Sequence, residues 1–182
     1  MKATGIVRRI DDLGRVVVPK EIRRTLRIRE GDPLEIFTDR EGEIILKKYS
    51  PIGELSHLAE EYAQALSSAS GCLVCITDKD HVVAVAGSGK REFDSKPISK
   101  QLDAAIEGRQ SGISHKAAEG LISITTDDKA DYAHQAISTI ISAGDAIGAV
   151  VLCRREEKDA ISETELKLAV VAAGFLGKQM EG

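Results

Sequence analysis

The chain has 182 residues, of which 42% are hydrophobic and 30% are charged, and its formal net charge is -4. This composition is typical of a globular protein of one or two domains and excludes a fibrous or a disordered chain. No apolar run reaches the roughly 18 residues that a membrane span needs, and the first residues lack the apolar segment of a signal peptide. We therefore expect a cytoplasmic protein without membrane contact, in which the three cysteines are reduced thiols.

Positive charge is concentrated at the front of the chain. Residues 1–29 hold nine Lys and Arg residues against three acidic residues, a net charge of +6, whereas residues 30–50 carry -3 and the remainder carries -7. A run of charge is often only a solvated surface. The asymmetry nevertheless indicates that the basic segment binds an anion and that the acidic remainder of the chain has a different function.

The first 50 residues carry the pattern of two hairpins. The β-branched runs at 4–10 and 15–19 are joined by DDLG, where Gly14 supplies the positive φ of a tight connection. Between 34 and 46, apolar residues alternate on both sides of the turn sequence DREG. This period of two predicts a second pair of strands.

A short cationic helix is predicted between the hairpins. Pro19 suits the first turn of a helix, and Ile22 and Leu26 form an apolar stripe that leaves the cations outside. A helix-turn-helix is excluded because Pro33 and a strand pattern follow Gly31 where the second helix would begin. Four short strands and one helix in about 50 residues are too few to form a stable hydrophobic core without cross-links such as disulfides. We therefore expect an obligate dimer.

These residues carry a resemblance to a known family. The segments TGIVR, LGRVVVPKEIRRTL, GDPLEI and IILKKY, which lie within residues 4–49, resemble the AbrB-type swapped-hairpin DNA-binding domain. The resemblance implies that two chains exchange hairpins to form one β-barrel and that the partner is double-stranded DNA. It also implies a transcription regulator.

The resemblance implies DNA contacts at four arginines, and the charge pattern adds two further cations. A guanidinium group suits phosphate because its planar fork donates two parallel hydrogen bonds and stays charged. A dimer doubles the set into a basic surface that fits a bent or shaped duplex better than one fixed base sequence. The four implied by resemblance are Arg8, Arg15, Arg23 and Arg24, and the two added are Arg9 and Lys20.

After SPIG at 50–53 the pattern changes to that of a second domain, so we divide the chain into domains 1–50 and 51–182. Apolar residues at 52–70 have heptad spacing, which indicates either a core-facing helix or a seam for self-association. Ser162 and Glu165 form a capping box before a helix that is apolar nearly all round, and so is expected to be buried on more than one side. Strands are predicted at 72–78, 81–87, 136–144 and 147–153, and a further helix at 98–108.

An antiparallel sheet flanked by helices, with the hairpin sequence GDAIGAVV, resembles the GAF family of ligand-sensing domains. The fold class expected for the whole chain is therefore α+β. The resemblance implies a small-molecule effector, for which we expect a pocket over the sheet lined from residues 86–113. The Asn-Lys pair of cyclic-nucleotide-binding members does not precede Phe93 and Asp94, so a cyclic nucleotide is not expected.

The sequence offers little for catalysis, and we expect neither a cofactor nor a metal. Cys72 and Cys75 have CxxC spacing, but the segment is predicted as a strand, in which residues three apart point to opposite faces. A zinc site needs four ligands at workable spacing. The remaining candidates are scattered along the chain: His57, His81, His115, His134 and Cys153.

The resemblances imply a DNA-binding transcription regulator, and the size and periodicity of its parts predict that it dimerises through domain 1–50 and forms a homotetramer through helices of domain 51–182. Two alternatives remain. One is an antitoxin-like DNA-binding protein, although the periodic pattern of 51–182 differs from a disordered toxin-wrapping tail. The other is a GAF-type free methionine sulfoxide reductase that uses Cys72, Cys75 or Cys153.

Overall fold

The computed structural model describes residues 5–116, 120–129, 131–157 and 159–181. The chain divides into two compact units, Met1–Tyr49 and Ser50–Gly182. In the first unit, helix α1 (Lys20–Thr25) follows Pro19, and strands β1 (Leu34–Thr38) and β2 (Ile44–Lys48) pair antiparallel. The predicted helix and second hairpin are confirmed.

Among the residues that the structure describes, the two runs predicted as the first hairpin have no strand partner. Between them the turn does form: the backbone N–H groups of Leu13 and Arg15 donate to Oδ1 of Asp11 at 3.0 and 2.8 Å, and Gly14 has a φ of 76°. The described residues of the flanking runs are nevertheless irregular. A strand exists only beside another backbone, so the strands predicted at 4–10 and 15–19 are not formed in the described residues of the single chain.

The second unit is built on one antiparallel sheet. Within the described residues its strand order is β4-β3-β7-β6-β5, and helices pack on both faces. Its elements are α2 (Pro51–Glu54), α3 (Ser56–Ser70), β3 (Leu73–Thr77), β4 (Val82–Ala86), α4 (Lys90–Phe93), α5 (Lys100–Glu107), β5 (Ser111–His115), β6 (His134–Ser142), β7 (Asp145–Arg154) and α6 (Glu163–Gln179).

Most predicted elements of this unit are confirmed, with small differences at their ends. Strand β5 and helix α4 were not predicted, because SGISH and KREF are polar and too short to show a period. Alternation along the strands gives each face its own core. Val74 and Leu152 face α3 and α6, whereas Cys75 and Val151 face α5.

The heptad pattern at 52–70 is divided between two helices and mostly serves the unit's own core. Helix α2 ends at Glu54 and α3 begins at Ser56, so no continuous seam exists. Ile52, Ala59 and Leu66 are buried against the sheet. The core-facing interpretation is therefore the correct one for most of this pattern.

The predicted capping box at the start of α6 is confirmed. The backbone N–H of Thr164 donates to Oγ of Ser162 at 3.2 Å, and the backbone N–H of Ser162 donates to Glu165 at 2.8 Å. Burial raises the pKa of Glu165, but hydrogen bonds from Ser162 and the nearby Arg154 outweigh burial, so the pKa lies below its usual value. Folded-state stabilisation by this carboxylate is present above the unfolded-state pKa and is lost as the pH falls through the lower, folded-state pKa.

Replacing Ser162 by Ala is expected to lower the free energy of unfolding by about 1 kcal/mol, because a helix N–H loses its acceptor. Chemical denaturation followed by circular dichroism measures this at pH 7. The control is Ser88→Ala, at an exposed position outside any helix or strand. The same loss in both variants would contradict a capping role.

Candidate nucleic-acid interface

Three of the six predicted DNA-binding cations share one short helix. Lys20, Arg23 and Arg24 stand at positions i, i+3 and i+4 of α1, which places them on one face. No residue of α1 is buried, and Lys20 and Arg24 are exposed. The structure therefore brings these three charges together where a polyanion has access.

Arg15 is held by the turn that precedes α1. Its Nε lies 2.7 Å from Oδ2 of Asp11, while the Arg15 side chain stays 70% exposed. The backbone N–H of Arg15, followed by its guanidinium group, lowers the pKa of Asp11. The ionised carboxylate orients Arg15 and leaves the other edge of its guanidinium group toward solvent.

Arg8 and Arg9 lie on the irregular segment before that turn, and both are exposed. Arg27, which was not among the predicted DNA contacts, follows α1 with a φ of 51°. Its carbonyl accepts a hydrogen bond from Nζ of Lys48 at 3.0 Å, and its position in a run of arginines was the only signal for it.

The first unit leaves much of its apolar surface uncovered. Val7 is 86% exposed and Val17 is 71% exposed, far more than a folded domain allows for so many large apolar side chains. Large apolar side chains of the second hairpin are exposed as well. The exposed set comprises Ile6, Val7, Ile10, Leu13, Val16, Val17, Leu26, Ile36, Phe37, Ile44 and Leu46.

The three cysteines are buried in the second unit. Cys72 and Cys75 belong to the cores on opposite faces of the sheet, as predicted for a strand. Burial raises the pKa of Cys75 and that of Cys153, so both remain protonated and poorly nucleophilic at neutral pH. Among the described residues, no group of three or more His, Cys, Asp and Glu side chains is placed to hold a metal.

The face of the sheet that carries α5 is filled by the chain's own side chains. Phe93, Leu102, Ile106, Ile124 and Tyr132 are almost completely inaccessible to solvent. The pocket expected over the sheet does not lie among these side chains. An open cleft of about 280 Å³ lies on the α3 side, and Ala86, Gly87 and Lys90 at its wall belong to the segment 86–113 that was expected to line a pocket. The other lining residues are Glu60, Gln64, Ser67, Ser68 and Val85.

None of the helices in the described ranges combines the length and the apolar composition that a bilayer crossing requires.

A basic N-terminal unit with uncovered apolar surface, followed by a sheet unit of GAF-like fold, defines the class of two-unit transcription regulators. A family model described as "Stage V sporulation protein T C-terminal, transcription factor" matches residues 54–181, and one described as "Antidote-toxin recognition MazE, bacterial antitoxin" matches residues 7–54. The chain is 52% identical to stage V sporulation protein T of Bacillus subtilis (strain 168) over 182 residues, which cover 100% of this chain and 99% of that protein. The chain therefore belongs to the stage V sporulation protein T family.

Two further similarities concern the separate units. Transition state regulatory protein AbrB of Bacillus subtilis (strain 168) is 54% identical over 74 residues, which cover 41% of this chain and 76% of that protein. The GAF domain of PixJ from Thermosynechococcus elongatus superimposes with a TM-score of 0.56 at 13% identity, covering 74% of this chain and 89% of that domain. At that identity the second similarity shows the fold alone, which is the expected GAF-like fold.

Proposed function

We propose that the protein is a DNA-binding regulator of sporulation genes, in which domain 1–50 binds duplex DNA and domain 51–182 assembles and regulates it. The observation that carries this proposal is the exposed cationic face of α1, in a segment of net charge +6. Arg8, Arg9 and Arg15 extend the charge along the preceding segment. We therefore propose a cytoplasmic location, where a bacterial regulator has access to chromosomal DNA.

Dimerisation explains the uncovered apolar surface of the first unit. The irregular runs on either side of the Asp11–Gly14 turn need partner strands, and their apolar side chains need cover. A second copy supplies both when the two chains exchange hairpins and close a barrel, which leaves no free strand edge. The barrel then presents two copies of the α1 cations.

A tetramer is supported by the outer side of α6. This helix buries Ala169, Ala172 and Leu176 against its own sheet, but Val170 is 46% exposed and Val171 is 62% exposed. Nearby, the rings of Phe175 and Tyr62 stack with their centroids 5.2 Å apart. We call the surface formed by Tyr62, Val170, Val171 and Phe175 the α6 patch. We propose that it packs against the α6 patch of a second copy of the chain.

The regulator function is favoured over both alternatives. A toxin-wrapping tail is extended, whereas residues of the second unit form a packed sheet with two cores. A thiol reductase needs an accessible thiolate and a resolving thiol, whereas Cys72, Cys75 and Cys153 are buried. We therefore propose no catalytic role.

The deciding experiment measures binding of the full chain to duplex DNA. A variant with Ala at Arg8, Arg15, Arg23 and Arg24 is expected to bind neither specific nor nonspecific duplexes. Sedimentation and circular dichroism show whether this variant still assembles and folds. An assembled variant that binds DNA as tightly as the wild type would contradict the proposal.

Regulation by a small molecule is a second element of the proposal. Since the α5 face is filled, the α3 cleft with Glu60, Gln64 and Lys90 is the place that we propose for a small polar effector. An effector at 100 times its dissociation constant is expected to stabilise the second unit by about 2.7 kcal/mol.

Thermal shift of the full chain against nucleotides and amino acids tests this element. Lys90→Ala is expected to abolish the shift, and Lys129→Ala, at a position outside the cleft, is expected to keep it. If no compound shifts melting or DNA affinity, the second unit is purely architectural.

A further inference from the structure

Two histidines that lie 19 positions apart in the chain form a close pair in the second unit. His115 ends β5 and His134 begins β6, and the two stand directly opposite each other in the register. Their Nδ1 atoms are 2.7 Å apart, and the rings meet edge to face at an angle of 77°. Both side chains are half-buried, so small solutes can reach them. Neither DNA binding nor the proposed assembly uses this pair.

A backbone carbonyl fixes the tautomer of His134. Its Nε2 lies 3.2 Å from the carbonyl oxygen of Glu157. Because a carbonyl oxygen only accepts, Nε2 carries the proton, and the neutral ring directs the lone pair of Nδ1 toward His115. The proton between the two Nδ1 atoms is therefore donated by His115. Without that proton, two nitrogen lone pairs converge on one point.

We propose that His115 and His134 form a binding site for a divalent transition-metal ion such as Zn²⁺, Ni²⁺ or Cu²⁺, with both Nδ1 atoms as ligands. Imidazole nitrogen suits these ions. A metal–nitrogen distance of about 2.0–2.1 Å places two ligand atoms roughly 2.9–3.4 Å apart for angles between square-planar and tetrahedral values. The observed separation of 2.7 Å needs to open by roughly 0.2–0.7 Å, with the larger value for a tetrahedral ion.

The surroundings of the pair are those of a metal-binding histidine. Ligating histidines donate their other ring N–H to a carbonyl or carboxylate, which fixes the ring and raises its basicity. The Glu157 carbonyl fills this role for His134. Solvent reaches both rings, so water completes the coordination of the ion.

Arg154 is the cation that could oppose a metal at this site, since it stands opposite His134 in the register. Its guanidinium group is turned to other partners: Nη2 lies 3.1 Å from Oε1 of Glu165, and Nε lies 3.2 Å from Sγ of Cys72. The Glu165 carboxylate offsets its charge. Lys116, which follows His115, is exposed and screened by solvent.

Occupation of the site would join the edge strand β5 to β6 by a coordinate bond. Strand β5 has β6 as its ladder partner on one side and forms the edge of the sheet on the other. A metal that binds the folded pair better than the unfolded chain stabilises the fold by mass action. We therefore expect the ion to raise the melting temperature of the second unit.

Equilibrium dialysis of the untagged full chain with Zn²⁺ tests the proposal. His115→Gln and His134→Gln are compared with the matched variants His57→Gln and His81→Gln, which replace two exposed histidines elsewhere. We expect one ion per chain in the wild type and in both matched variants. In either variant of the pair, affinity is expected to fall at least about tenfold and the rise in melting temperature to disappear.

Electron paramagnetic resonance of the Cu²⁺-loaded wild type provides a test that does not depend on the folding of any variant. The expected signal shows hyperfine coupling to two imidazole nitrogens. Absence of bound metal in the wild type, ligation by sulfur, or unchanged binding in both variants of the pair would overturn the proposal. The two histidines would then form a hydrogen bond between strands and nothing more.

Discussion

Arg23→Ala is expected to weaken binding to duplex DNA by at least about tenfold and to flatten its dependence on salt. Arg23 lies on the cationic face of α1, and each substitution removes two contacts from a dimer. If Arg8, Arg15, Arg23 and Arg24 of two chains neutralise about eight phosphates, log K falls with log[salt] at a slope near -7. The loss of two phosphate contacts reduces that slope by about 2.

Fluorescence anisotropy between 50 and 200 mM salt measures both effects, and the wild type should lose about 10⁴-fold in affinity over this range. The matched control is Arg40→Ala, an exposed arginine in the turn between β1 and β2. Arg15→Lys separates charge from geometry, because lysine keeps the charge but not the planar contact with Asp11. A wild-type slope near zero, or Ala variants with normal binding, would refute the assignment.

Local sequence signals were sufficient to predict the elements whose partners are close in the chain. Strands β1 and β2 are joined by a short turn, and alternation on both sides of it indicates their pairing. The cap of α6 is likewise set by Ser162 and Glu165, three positions apart. In each case the stabilising contact joins residues that are close in the chain to the pattern that predicts it.

Features that depend on distant or external partners could not be predicted in the same way. The runs on either side of Gly14 have a strand pattern, but in the proposed dimer their ladder partners belong to another copy of the chain. His115 and His134 meet only through the register of β5 and β6, which no local period encodes. The filling of the α5 face depends on Ile124 and Tyr132, which come from a long connection with no strand or helix pattern.

For the helix that follows Ser162, the sequence pattern predicts more burial than the single chain shows. Its apolar residues surround the helix almost completely, which predicts burial on more than one side. In the single chain the sheet covers one side of the helix and Tyr62 of α3 stacks on Phe175, while Val171 stays 62% exposed. The excess of apolar character over what the sheet covers points to a partner for the outer side of α6.

Val171→Glu is therefore expected to convert a tetramer into a dimer. In the proposed tetramer, the α6 patches of two dimers pack together, and a carboxylate at Val171 would be buried there without a partner, at a cost of several kcal/mol. Sedimentation equilibrium of the full chain distinguishes the two states. Ser88→Glu adds the same charge at an exposed position outside the patch and should leave the tetramer intact.

The dimer formed by Val171→Glu should keep its fold, because the side chain of Val171 lies outside the core of its own unit. It should also keep the affinity of one N-terminal dimer for a short duplex. On a longer duplex the proposed tetramer would engage two sites at once, so the variant is expected to lose the roughly 10²-fold or greater gain that a second tethered contact gives. A wild type that stays dimeric at all concentrations, or a Val171→Glu variant that stays tetrameric, would exclude the α6 patch as the second interface.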